Sequence, residues 1–251
     1  MKFIKSIVIA IFCVVMTVSG QETKNETPPK KPDLVLVFTK TKGYRHESIS
    51  TGVKALREMG RKNNFIVLRT ESSEDFNPEN LANYQLVVFL STTMDVLDET
   101  EQTAFENYIK AGGSFLGIHA ATDTEYDWPW YGKLVGGYFS GHPNNPNVRE
   151  AKIDVLTKAH SSTAHLDDAI KRTDEWYNFK NLNPNVTVVM NLDETSYEGG
   201  TNGENHPIAW YHEFDGGRAY YTGGGHTNES YAEPDFRQHL LGAISWCLKR
   251  S

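Results

Sequence analysis

Four apolar runs, each leading through a polar loop toward an amphipathic stretch, pattern the first half of the chain. "DLVLVFTK" (Asp33 to Lys40) is continuously apolar, as strands buried on both faces of a parallel sheet are. Ile49 to Arg61 then places Val53, Leu56 and Met59 at helical spacing. "FIVLRT" (Phe65 to Thr70), a short helix holding Leu81 after Pro78, and "QLVVFLS" (Gln85 to Ser91) continue the alternation. Asp98 and Glu101 have capping-box spacing for a helix from Glu99 to Lys110, closed by Gly112 and Gly113. "SFLGI" (Ser114 to Ile118) is the fourth strand. This alternation predicts an α/β fold with a doubly wound, mainly parallel sheet, whose ligands sit at the carboxyl ends of strands. His119 and the Thr39 to His46 loop both lie at such ends.

Beyond Asp123 the pattern loosens. "YDWPWYGKLVGGYFSGHPNNP" is aromatic and Gly/Pro-punctuated, which predicts a loop with one short helix from Trp130 to Val135. Strands return at "AKIDVL", "TVVMNL", "HPIAWYHEF" and "RAYYTGG", and "PDFRQHLLGAISWCL" opens on a helix-starting Pro234. A chain of 251 residues, 39% of them hydrophobic, suits one large domain over residues 33–251.

The ends change the picture in one respect. Lys2 and Lys5 precede an apolar run from Ile7 to Val18, then small residues at Ser19 and Gly20, the layout of an export signal over residues 1–20. The run is shorter than the roughly 20 residues a membrane span requires. Phe12 before Cys13 does not fit a lipidation site, and residues 21–32 read as a flexible leader. Export would place the protein in the periplasm or outside the cell, with no membrane association after cleavage. Loss of a segment with two lysines and no acids takes the formal net charge from −7 to −9. Such a charge disfavours nucleic acid, whose binding rests on Lys and Arg contacts to phosphates. Cys247 alone remains in the mature part, so neither an internal disulfide nor a cysteine metal cluster can form.

Candidate chemistry centres on histidines. His46, His119, His142, His206 and His226 each sit in a Gly-, Asn- or Pro-rich context near a strand or helix end. Histidine serves there as general acid or base, or as a ligand to a divalent ion, with His46, His119, His142, Glu175 and His226 as candidate ligands and Asp123 as another oxygen source. No compact ligand motif such as HExxH supports a metal, and no GxSxG supports a serine hydrolase. "TDEWYNF" sets Asp174 and Glu175 beside Trp176 and Tyr177, carboxylates near aromatic faces suited to a sugar ring, or else an edge strand with solvated acids. Trp128 and Trp130, outside any periodic pattern, read either as a ligand wall or as a cluster packed beneath the loop.

With these pieces assembled, the chain resembles the ThuA-like family, named for trehalose utilisation. The resemblance rests on "KGYRHESI", "FLSTTMDVL", "GGSFLGIHAATD", "WPWYGKLVGGYFSGHP", "TDEWYNF", "NHPIAWYHEFDGGRAYYTGGGHT" and "FRQHLLGAISW", in order from Lys42 to Trp246. It implies a flavodoxin-like sheet of the class I glutamine amidotransferase type, with His119 where that superfamily keeps a cysteine nucleophile. It also implies a role in carbohydrate catabolism, near sugar dehydrogenases and keto-sugar enzymes. The implied site draws on His46, His119, Asp123, His142, Glu175, Tyr177, His206 and His226. Two departures stand out: Met94 where the family commonly has Gly, and His160-Ser161 where it has His-Pro.

Three readings follow. The first is an acid–base enzyme on a glycoside or keto-sugar, of hydrolase, lyase or isomerase type, with His119 as central acid or base, Glu175 as second proton carrier, and Tyr177, Trp128 and Trp130 touching the sugar. The second is a carbohydrate-binding protein without catalysis. The third is a partner of a sugar oxidoreductase.

Overall fold

A computed structural model describes residues 31–250, so the expected export signal and nearly all of the leader lie outside the described residues. A compact unit begins at Pro32. Its strands are β1 (Asp33–Phe38), β2 (Phe65–Thr70), β3 (Leu86–Leu90), β4 (Ser114–Ile118), β5 (Tyr138–Gly141), β6 (Val148–Val155), β7 (Ala169–Glu175), β8 (Asn178–Lys180), β9 (Thr187–Asp193), β10 (Pro207–Phe214) and β11 (Gly217–Thr222). The helices are α1 (Ile49–Lys62), α2 (Pro78–Leu81), α3 (Glu99–Lys110), α4 (Pro129–Val135) and α5 (Pro234–Cys247).

Nine strands form one sheet in the order β2-β1-β3-β4-β11-β10-β9-β6-β7, while β5 and β8 pair separately. From β2 to β11 all neighbours are parallel. From β11 to β7 they are antiparallel. The parallel half is the doubly wound, flavodoxin-like α/β core. Strand β3 and strand β4 are buried at every position, as expected for strands covered by helices on both faces. The order reverses between β1 and β3, and the loops after β1, β3, β4 and β11 meet over that carboxyl edge.

Helix boundaries follow local chemistry. Asp98 accepts from Thr100 N and Glu101 N, and Glu101 reaches back to Asp98 N, closing the capping box of α3. Helix α4 starts at Pro129, whose missing N–H costs nothing in the first turn, and ends at Gly136 in the left-handed region. An aromatic core lies against the parallel half: Phe89, Phe105, Phe115 and Tyr131 pack ring on ring.

The antiparallel half has a geometric consequence. Strand β7 is five places from β4, a separation of about 24 Å in a flat sheet at ~4.8 Å per strand. Yet Glu175 at the end of β7 comes within 3.3 Å of His119 just beyond β4. That half therefore curls back over the carboxyl edge, and the register shifts of β10 against β9 around Ala209 are the kind of irregularity that bends a sheet.

Candidate active site

His119 follows β4 directly and adopts φ +52°, a left-handed conformation that costs a residue with a Cβ roughly 1–2 kcal/mol. A tight turn, His119–Thr122, then leads the chain away. The conformation is held by Tyr221 Oη, which donates to His119 O at 2.8 Å, and by Ala121 and Tyr221 crowding Gly117 so closely that a Cβ there would sit 3.1 Å from each. The ring is fully buried. Its Nδ1 donates to Gly223 O at 2.9 Å, because a carbonyl only accepts. Nε2 is therefore the nitrogen left with a lone pair when the ring is neutral.

That Nε2 faces three other groups. His46 Nε2 lies at 3.2 Å, His226 Nδ1 at 3.3 Å and Glu175 Oε2 at 3.3 Å, and His226 Nδ1 is 2.9 Å from the same Glu175 oxygen. All four ligand atoms lie within 4.8 Å of one another. Four lone-pair groups crowd one point while at most two ring protons are free to separate them. A cation at the centre satisfies all of them at once. Nitrogen and oxygen ligands about 2.0–2.2 Å from a tetrahedral ion stand about 3.3–3.5 Å apart, close to the three distances from His119 Nε2, while the other pairs run from 2.9 Å up to 4.8 Å. Three imidazoles and one carboxylate suit zinc or a neighbouring transition metal better than calcium or magnesium.

The electrostatics are set by burial and by mutual contact. Burial, reinforced by His119 and His226, pushes His46 down to about 2, so it is neutral at physiological pH. Burial alone would raise Glu175, but the His119 and His226 rings beside it outweigh that and hold the carboxyl well below the usual range. For His226 burial works downward and the Glu175 carboxylate wins, raising it.

Each group is positioned by its own loop. The His46 loop is tied down where Ser48 Oγ donates to Gly225 O at 2.9 Å. The His226 loop is held by Asp174, a buried carboxylate that accepts from Gly225 N (2.8 Å), His226 N (3.1 Å) and Ser230 Oγ (2.8 Å). Glu175 N donates to the same carboxylate at 3.0 Å. Asp174 thus fixes two of the four groups together. The sequence does not single it out as a site residue, and its only signal there is adjacency to Glu175.

The remaining candidates separate. His142 Nε2 stands 3.7 Å from Glu175 Oε1, with its side chain 28% exposed at the mouth, while Asn147 Nδ2 donates to that oxygen at 2.7 Å. His142 is adjacent to the four ligand groups but is not one of them. Tyr177 tilts over the His119 ring at 4.4 Å between centroids and packs on Phe139. Asp123 accepts from Tyr126 Oη, and burial raises its carboxyl. His206 is not brought into the cluster: Nδ1 pairs with Glu194 at 2.7 Å and Nε2 donates to Tyr177 O at 2.7 Å. The two loop tryptophans pack as the cluster beneath the loop rather than as a ligand wall. Trp128 and Trp130 stack on each other and meet Phe105 edge-on, with their indole N–H groups donating to Glu106 and Asp215. Trp130 lies within α4, and its ring packs on Phe105 of α3.

Fold and site together define an α/β protein of the class I glutamine amidotransferase type with a histidine–carboxylate cluster around the elbow after β4. The model of one family, described as trehalose utilisation, matches residues 34–247. This chain belongs to that family, ThuA, and is a protein related to carbohydrate utilisation. Solved structures agree on the fold. A ThuA-like protein from Bacteroides uniformis superposes with a TM-score of 0.73 at 22% identity, over 90% of this chain and 95% of its own. One from Parabacteroides merdae gives 0.70 at 18%, over 87% and 90%. A GMP synthase component from Thermoplasma acidophilum gives 0.54 at 14%, over 88% and 96%. No curated protein matches the chain.

Proposed function

We propose that this chain is an exported enzyme that processes a glycoside or oxidised sugar by acid–base chemistry beside a divalent ion held by His46, His119, Glu175 and His226. The observation that carries this reading is the meeting of four ligand atoms within 4.8 Å at the carboxyl edge of a doubly wound sheet. Such an ion, when bound, polarises a carbonyl or hydroxyl oxygen and makes bound water acidic near neutral pH.

The chain's own groups divide the remaining work. His119 suits a ligand better than a proton shuttle, because its ring is buried and Nδ1 is committed to Gly223 O. Proton transfer falls to His142, whose Nδ1 donates to Pro143 O at 2.9 Å, whose Nε2 stands 3.7 Å from Glu175 Oε1, and which is open enough to exchange protons with solvent. Tyr177 and Phe139 close one side against water. Export rests on residues 1–20 and suits a binding site built without cysteine.

Metal analysis of the purified full chain, calorimetry with Zn²⁺ and Mn²⁺, and turnover of plain and oxidised disaccharides test this together. Wild type is expected to bind one ion per chain, and His119→Ala and Glu175→Gln to lose more affinity than the about 10- to 100-fold that removal of a ligand-orienting group costs. Variants that keep wild-type metal binding and turnover would sink the proposal. Sugar binding without any turnover would reassign the site to recognition alone.

A further inference from the structure

Two large apolar side chains stand in water on adjoining loops beside the clustered groups. Tyr44 is 63% exposed and Met94 46%, and both stand on loops of the carboxyl edge. Neither loop is slack. Lys42 N donates to Thr93 O, Gly43 N to Thr93 Oγ1, and Thr93 Oγ1 to Tyr44 O, at 3.0 to 3.1 Å. The second loop is pinned in turn, with Met94 N donating to Asp123 O at 2.7 Å and Glu125 N to Met94 O at 3.2 Å. The Tyr44 ring meets the His46 ring edge-on at 4.8 Å between centroids, which places it next to one of the four clustered groups.

Met94 is an expensive choice for its position. Its φ of +62° lies in the left-handed region, where glycine carries no penalty and a side chain does. The side chain packs over Gly43 so closely that a Cβ there would lie 2.7 Å from Met94 Cγ, so Gly43 is what admits it. A strained backbone carrying an exposed thioether, braced beside an exposed aromatic ring, calls for something that covers both when the site is in use.

We infer that Tyr44 and Met94 form a subsite for a second sugar ring next to His46, so that the ligand is a glycoside of at least two units. A pyranose offers an apolar C–H face for the tyrosine ring and the methionine, and hydroxyls for the polar groups behind them. This inference rests on the carbohydrate reading above and extends it to ligand size.

Calorimetry on the purified full chain with trehalose, maltose, glucose and methyl α-glucoside tests it. Wild type is expected to bind a disaccharide about 10-fold more tightly than either single-ring sugar, the order of one aromatic contact. Tyr44→Ala and Met94→Gly should abolish that preference while leaving single-ring affinity and metal content unchanged, and Tyr44→Phe should retain it. Met94→Gly should unfold at the same or a higher temperature. If wild type binds one-ring and two-ring sugars equally, or if Tyr44→Ala keeps the preference, the subsite is wrong and the carbohydrate reading stands. If wild type binds none of these sugars, nor their oxidised forms, both fall.

Discussion

Two groups of histidines, buried or nearly so, share this fold and behave oppositely. His46, His119 and His226 turn nitrogens toward one another and toward a single carboxylate. His206 and His239 are as deeply buried, yet each ring nitrogen has its own partner: Glu194 and Tyr177 O for one, Ser162 O and Thr222 Oγ1 for the other. Burial alone therefore does not distinguish a working histidine from a structural one. What distinguishes them is whether the nitrogens are satisfied by the protein or left competing for one point in space.

The comparison can be broken at several places. The largest effect is expected at His206→Ala, which leaves Glu194 and Tyr177 O without their buried partner and should cost about 3 kcal/mol in denaturant unfolding. Zinc affinity should change less than about 3-fold, since neither lost contact touches a ligand side chain. A large fall in affinity would merge the two groups into one.

Asp174→Asn tests the opposite case, a residue outside the cluster that serves it. One carboxylate holds the main chain of both Glu175 and His226. Zinc affinity should fall about 10- to 100-fold, the usual cost of losing a group that orients ligands. A Ser230→Ala variant, which removes one donor of the same clamp, should fall less far. Equal stability loss with unchanged affinity would make Asp174 purely structural.

Acid should act on both groups, since His46 and His239 are each held neutral by burial, and His239 reads the effect apart from the clustered groups. Burial pushes His239 down to about 3 from an ordinary value near 6.5. Its folded form stays neutral while the unfolded chain takes up a proton below pH 6.5, so the stability it contributes is present above pH 6.5 and is lost as pH falls toward 3. The loss by pH 5 is about 2 kcal/mol for this residue. Denaturant midpoints across pH 5 to 7.5 should flatten by about that much in His239→Gln, and a slope identical to wild type would remove His239 from the account.

How much of this is legible in the chain depends on sequence distance. The bounds of β2, α3 and β4 come directly from apolar runs and the Asp98 capping box, because those signals are local. His119 at the end of β4 is equally legible. Its neighbours are not: Glu175 reaches it only because the antiparallel half curls, and no local pattern reports a curl built over five strand pairings. Strands β5 and β8 escape a reading of the sequence, being four and three residues long in irregular surroundings. Trp128 and Trp130 mislead in the other direction. Loop aromatics without periodicity look available for a ligand, whereas Phe105 of α3 gives them a core of their own.

The clustered groups also bear on how the chain is held together. His46 and His119 are 73 residues apart and His119 and His226 another 107, and the only cysteine among the described residues is buried and unpaired. An ion gripping all four would close loops of that length much as a cross-link does, restricting the unfolded chain and tying the first strand to the last. Where a disulfide commonly supplies such a restraint, this chain would assign it to imidazole, and would surrender the fastening to any chelator strong enough to take the metal.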